Sequence, residues 1–259
     1  MIRFLLAHPL TRGLDIDDPS TTELRRQIIR EKGFLRQIYH EWYTAIASKL
    51  SPREGPVLEL GSGAGFLKDF VPNLITSEVF HCRAIDVVLN GMELPFANGA
   101  LHATVMIDVF HHIPQLRRFF TEAARCVRPG GVVLMIEPWV TPWSQLVYTR
   151  LHHEPFQPEA KQWEFPERGP LSGANGALPH IVFARDRLQF EGEFPMWQIQ
   201  RITPMMPFCY LVSGGVSMRS LMPDWTFKCW RGVENMLSPF INKLAMFAYI
   251  VLQKREFKP

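Results

Sequence analysis

Glu59 and the three glycines that follow at alternate positions, Gly61, Gly63 and Gly65, are the residues of this chain best suited by type and spacing to meet a ligand. They continue the apolar run Val57-Leu58-Glu59-Leu60, which reads as a strand entering a tight turn. Glycine is needed where the chain turns tightly or where a ligand presses on the main chain, because a Cβ would intrude. The spacing then separates two kinds of ligand. A dinucleotide fingerprint is G-x-G-x-x-G, and its third glycine would fall at position 66, where this chain has Phe66. Further along, Glu78 ends the apolar segment Leu74-Ile75-Thr76-Ser77, and a carboxylate at a strand end can accept both hydroxyls of a ribose. Asp108 ends a third apolar run, Ala103 to Ile107, and leads into His111 and His112. An unperturbed imidazole titrates near pH ~6.5, so His111 is a candidate general base, while His112 reads as a packing or capping residue.

The run E-L-G-S-G-A-G, Glu59 to Gly65, resembles the first motif of class I S-adenosylmethionine-dependent methyltransferases of the small-molecule type. Three later features stand in that family's order. They are Glu78, the segment Asn90-Gly91-Met92-Glu93-Leu94-Pro95-Phe96, which is similar to an acidic-Ala-x-x-Leu-Pro-Phe pattern, and the step from strand into His111-His112. The resemblance covers about Val57 to Pro138. It implies S-adenosyl-L-methionine as cofactor, with Glu59 at its ammonium and the backbone of Gly61, Ser62, Gly63 and Gly65 beneath it. It further implies Glu78 at the ribose, Asn90, Gly91 and Met92 beside the adenine, and Asp108 at the far end. Asn90 departs from the acidic pattern, but an amide oxygen still accepts from an exocyclic amine. Methyl transfer from a sulfonium is an in-line displacement with an activated leaving group. The protein must align the acceptor and, for a hydroxyl, remove its proton; Asp108 and His111 are the candidates for that task. No cysteine nucleophile or metal-ligand spacing is present, so no metal is expected.

The elements that must position these residues follow from periodicity and from the resemblance together. Strands are expected at Val57–Leu60, Leu74–Glu78, Ile85–Leu89, Ala103–Asp108, Val132–Glu137, Trp197–Ile202 and Phe247–Gln253. Phe66 to Phe70 reads as the start of a helix, and Leu116 to Val127 as a full one stopped by Arg128-Pro129-Gly130-Gly131. Residues 79–84 are too few for a helical crossover, so a helix-free loop and a more open cleft are expected there. The fold implied is α/β, a Rossmann-like seven-stranded, mostly parallel sheet with helices on both faces. Residues 1–52 form an N-terminal helical leader that covers the cleft, and residues 53–259 form the methyltransferase domain. Two insertions, at about 139–195 and 207–242, are read as substrate lids. Asn175, His180, Asp186 and Arg187 are the polar residues of the first lid chosen as substrate contacts.

Composition narrows the partners. A net charge of +3 on 259 residues is too mild to point to nucleic acid, and none is expected. Four cysteines without a C-x-x-C pair, and an N-terminus without a long apolar h-region, suit a reduced, cytoplasmic protein. No apolar stretch reaches the ~20 residues a membrane span requires. The leader carries Arg25, Arg26, Arg30, Lys32 and Arg36 among its apolar positions, and the second lid is rich in Met, Trp, Phe and Tyr. A small or lipid-linked acceptor, with peripheral contact to a membrane surface, is therefore one expectation, beside plain solvated and core faces. Two alternatives stay open: a catalytically silent binder of the same cofactor, and an aminopropyl transferase, which would need an acidic polyamine pocket.

Overall fold

The computed structural model describes residues 7–10, 12–50, 55–83, 85–152, 154–166, 169, 171 and 173–256. The boundary expected at 52 and 53 lies outside the described residues. Seven strands form one sheet in the order β3-β2-β1-β4-β5-β7-β6. They are β1 (Val57–Leu60), β2 (Leu74–Glu78), β3 (Val87–Val88), β4 (Leu101–Ile107), β5 (Val127–Pro138), β6 (Trp197–Met205) and β7 (Phe247–Lys254). Strands β1 to β5 pair in parallel, and β7 runs antiparallel to both β5 and β6. All four residues of β1 are buried, as are the first six of β4. That explains why these strands read as near-continuous apolar runs rather than as alternating ones. The chain order reverses direction at β1 and β4, so the carboxyl ends of these two strands open onto the crevice where such sheets bind ligands.

Three expectations need correction. The helix expected from Phe66 is only a 3-10 turn, Leu67–Asp69, because Pro72 follows within three residues and β2 begins at Leu74. The third strand shrinks to Val87–Val88, and no helix precedes it among the described residues. Arg128-Pro129-Gly130-Gly131 does not separate helix from strand. Val127 already pairs with Leu101, and the next partners are Val132 and Ala103, so the four residues bulge out within β5.

Helix α1 (Pro19–Glu31) begins at Asp18, whose carboxylate accepts from Ser20 N at 2.8 Å, with Pro19 at the first helical position. Lys32 breaks the run, and α2 (Gly33–Ala47) follows. Helix α3 (Leu116–Cys126) buries Leu116, Phe119, Phe120, Ala123 and Cys126 at helical spacing. Phe119 and Phe120 meet Phe110, and Phe120 also meets Phe183 and Phe190 of the first insertion. A second aromatic group forms around Phe247 of β7, touched by Trp42 of α2, Tyr148 and Tyr210. Burial of each such ring stabilises the fold by about 1.5–3 kcal/mol. Helix α4 (Pro142–Leu151) carries Tyr148 and starts with a reciprocal cap between Thr141 and Ser144. Thr141 Oγ1 also donates to Ala245 O at 2.9 Å, tying this insertion to the entry of β7.

Candidate functional site

A cavity of about 590 Å3 opens at the carboxyl ends of β1, β2 and β4. Glu59, Gly61, Gly65, Glu78, Asn90, Gly91, Met92 and Asp108 line it, so eight of the residues chosen from sequence converge on one space. Ser62 and Gly63 stand just behind its wall. Ser62 Oγ donates to Glu59 O at 3.2 Å and accepts from Ser77 N at 3.1 Å, which fixes the turn against β2. Glu78 accepts from Gly63 N at 3.4 Å and from Val79 N at 2.9 Å.

The leader closes this end. A Cβ on Gly63 would overlap Thr22 of α1, and one on Gly65 would stand 2.8 Å from the Tyr43 hydroxyl of α2. Arg26 donates to Gly65 O at 2.5 Å, and Phe66 N donates to Tyr43 Oη at 2.9 Å. The glycines are thus compressed by the protein's own leader as well as open to the cavity. On the side of the missing crossover helix, Glu23 of α1 reaches across to accept from Arg83 N at 3.0 Å. Some of the leader's basic residues turn inward too. Lys32 Nζ donates to Gly215 O and Met218 O at 2.6 and 2.9 Å, and Arg26 and Arg30 lie over the Phe66 ring. Lys32 and Arg26 thus bind the leader to the second insertion and the core, while Arg30 and Arg36 stay exposed.

Glu59 is buried, and no cation forms an ion pair with it among the described residues. Burial pushes its carboxyl up to about 7, against the hydrogen bond from Ser62 and with help from the charge of Glu78. A buried carboxylate with no ion-pair partner among the described residues, beside a glycine turn and facing a cavity, fits an ammonium. Burial also raises Glu78, opposed by the N–H groups of Val79 and Gly63. Asn90 uses its Oδ1 to accept from Met92 N at 2.9 Å, which holds its turn and leaves one lone pair.

At the other end, Asp108 adopts the left-handed conformation with φ 60°, and burial lifts its carboxyl to about 7. His111 does not face the cavity. It is fully buried, with Nδ1 2.8 Å from Glu137 Oε2 and Nε2 3.4 Å from Glu154 Oε2. Burial works against its charge, but these two carboxylates outweigh it and hold the ring well above the usual range for histidine. A charged imidazole with both nitrogens engaged is no general base, which corrects the role expected of it. His112 lines the cavity instead, pushed down to about 3 by burial and the neighbouring His111 charge.

The four substrate residues chosen from sequence are not at the cavity. Asn175 accepts from Gln157 N and Ala177 N at 2.9 and 3.1 Å, and Asp186 accepts from Trp163 Nε1 at 2.9 Å. His180 packs edge-on against Trp139, and Arg187 pairs with Glu191 one turn along its helix. All four hold the insertion's own turns together. The insertions line the cavity with other side chains: Val147, Tyr148, Leu151, His152 and Glu154 from the first, Tyr210, Leu211, Val216 and Met218 from the second. Glu137 and Glu154 were missed. The one signal for Glu137 was a lone acid at the end of the apolar run Val132 to Ile136.

Fold and site together define a Rossmann-like α/β domain whose cleft suits a nucleoside-bearing cation rather than a pyrophosphate. Residues 58–135 match a family model described as "Methyltransferase domain". A protein of Mycolicibacterium smegmatis described as "Probable S-adenosylmethionine-dependent methyltransferase" is 26% identical over 134 residues, 46% of this chain and 51% of that protein. The chain spans about half the length of the curated relative it matches. Among solved structures, a geranyl diphosphate C-methyltransferase from Streptomyces coelicolor A3(2) is 15% identical, with 96% and 91% of the two chains covered and a TM-score of 0.48. A second, described as a sarcosine dimethylglycine methyltransferase from Galdieria sulphuraria, is 15% identical over 83% and 84%, with a TM-score of 0.45. Over residues 58–135 the chain is thus similar to S-adenosylmethionine-dependent methyltransferases.

Proposed function

We propose that this protein transfers a methyl group from S-adenosyl-L-methionine to a small acceptor with a largely apolar body, lipid-linked acceptors included. The observation that carries the reading is Glu59, a buried carboxylate without an ion-pair partner among the described residues, set against the glycine turn and facing a cavity whose next strand ends in Glu78. S-adenosylmethionine, when bound, supplies a methyl group already activated by the positive sulfur. Glu59 would hold its ammonium, Glu78 its ribose hydroxyls, and Asn90, Gly91 and Met92 would border the base. Val147, Leu151, Leu211, Val216 and Met218 exclude water from the opposite end and suit an apolar acceptor. Asp108, at the carboxyl end of β4, is the carboxylate placed to receive a proton from an acceptor hydroxyl.

Calorimetric titration with S-adenosylhomocysteine tests the cofactor half. Because the ammonium pairs with ionised Glu59, and burial holds the free carboxyl near about 7, affinity should rise with pH up to that value. Below it, affinity should fall by about tenfold per pH unit, the slope of one linked proton. Glu59→Gln should flatten this dependence. No binding at millimolar ligand, or a pH profile unchanged in Glu59→Gln, would refute the placement.

The lipid-linked part of the reading rests on one surface. Trp225, Val233, Met236 and Phe240 of the second insertion are 80, 44, 81 and 57% exposed, at spacings of eight, three and four. These steps fall on one side of a continuing helical path, part of it helix α5 (Phe227–Met236), with Lys228 and Lys243 also exposed. Apolar residues flanked by cations suit the interface of an anionic bilayer. No helix among the described residues is long and apolar enough to cross a membrane. Co-sedimentation with phosphatidylglycerol vesicles should fall several-fold in a Trp225→Ala, Met236→Ser double variant. Equal sedimentation of both proteins would count against the lipid surface.

A further inference from the structure

The carboxylate of Glu154 is approached by three imidazoles. His111 Nε2 lies 3.4 Å from Oε2, His112 Nε2 3.9 Å from Oε1, and His152 Nδ1 3.7 Å from Oε2. Good N–H···O bonds measure about 2.7–3.2 Å, so all three separations are long for hydrogen bonding. They are close to a different standard. Two atoms each about 2.0–2.1 Å from a tetrahedral metal ion stand about 3.3 Å apart.

The far sides of the rings support the same reading. His111 Nδ1 meets Glu137 Oε2 at 2.8 Å, and His112 Nδ1 meets Gly173 O at 3.2 Å. A metal-bound histidine characteristically donates its second nitrogen to a carboxylate or a carbonyl, which fixes tautomer and ring orientation. With Nδ1–H so engaged, each ring can turn an Nε2 lone pair toward a metal beside Glu154, the ion displacing the Nε2 proton that His111 carries in its absence. One ring nitrogen from each of His111 and His112 and one Glu154 oxygen lie within 4.8 Å of one another.

We propose that His111, His112 and Glu154 bind a divalent transition-metal ion, zinc in type, in the wall of the cavity. Two imidazoles and one carboxylate are a borderline donor set, which favours zinc, cobalt or manganese over magnesium and calcium, whose sites are built from oxygen. His152 stands beside the set, although its Nδ1 also takes a long 3.4 Å bond from Glu154 N. His112, His152 and Glu154 line the cavity, so an open coordination position would face the space assigned to the acceptor and could hold an acceptor oxygen. Sequence spacing could not show this set, because Glu154 is forty-two residues from His112 and arrives through helix α4. The metal site stands whether or not the cavity binds S-adenosylmethionine.

The full-length chain, stripped with EDTA and dialysed, is titrated with zinc against a chromophoric chelator. One equivalent should bind, and His112→Ala and Glu154→Gln should each weaken it by about tenfold or more while circular dichroism stays unchanged. Cobalt in the wild-type chain gives a second readout that no variant can confound. Visible ligand-field bands without a thiolate charge-transfer band are expected. Failure to take up zinc, uptake by both His112→Ala and Glu154→Gln equal to that of the parent, or thiolate charge transfer placing the ion on a cysteine would each overturn the proposal.

Discussion

Glu78→Ala should weaken S-adenosylhomocysteine binding by roughly ten- to a hundredfold, since a charge-assisted pair of ribose hydrogen bonds is worth about 1.5–3 kcal/mol. The effect has two sources that a second variant can divide. Glu78 offers its oxygens to the cavity, and it also accepts from Gly63 N and Val79 N, holding the glycine turn to the end of β2. Alanine removes both functions. Glu78→Gln keeps the shape and one acceptor oxygen, so its loss should be smaller and should lie in affinity rather than in stability. Calorimetry on the two variants and the parent measures the division. Unchanged affinity in Glu78→Ala would mean that the end of β2 does not meet the ribose.

Glu137→Ala should cost the fold about 3–5 kcal/mol, the range found when one partner of a buried charged pair is removed. Glu137 Oε1 accepts from Val109 N and Phe110 N at 2.9 and 2.8 Å, while Oε2 meets His111 Nδ1. Its side chain and that of His111 have no solvent exposure, so water does not reach the groups left behind. Three donors would lose their acceptor at once, at about 1–3 kcal/mol for each unsatisfied group before relaxation. In a chain of this size the midpoint of thermal unfolding should drop by about 10 °C or more. Urea titration gives the free energy directly, and a loss below about 1 kcal/mol would show that the turn after β4 finds other partners. Glu137→Gln, which can still accept from one side, should fall between.

The contrast between these two glutamates shows what a sequence can carry. Glu78 and Glu59 were legible as cavity residues because their spacing from a glycine turn is a local property that survives translation into one dimension. The strands were legible for a similar reason: β1 and β4 are buried over nearly their whole length, and burial leaves an apolar run that the eye can follow. Glu137 and Glu154 take their meaning from His111, and only the return of β5 beside β4 and the turn after α4 bring them to it. A polar residue in a loop carries even less information. Asn175 looked available for a ligand, yet its side chain is consumed by backbone groups at Gln157 and Ala177, as asparagines in turns commonly are. The leader was legible as helices, since periodicity reveals which face is apolar. Periodicity does not say what that face will meet.

What it meets is the glycine turn itself. Thr22, Arg25, Tyr39 and Tyr43 supply part of the cavity wall, although all four lie outside the segment 58–135 that the methyltransferase model matches. The cavity wall is therefore divided between two parts of one chain. Glu59, the glycine turn, Glu78 and Asp108 all lie in the matched segment. The leader packs onto it through the buried Phe34, Leu35, Ile38 and Trp42, and a change at Thr22 or Arg25 of α1 would reshape the cavity wall without altering a single motif residue.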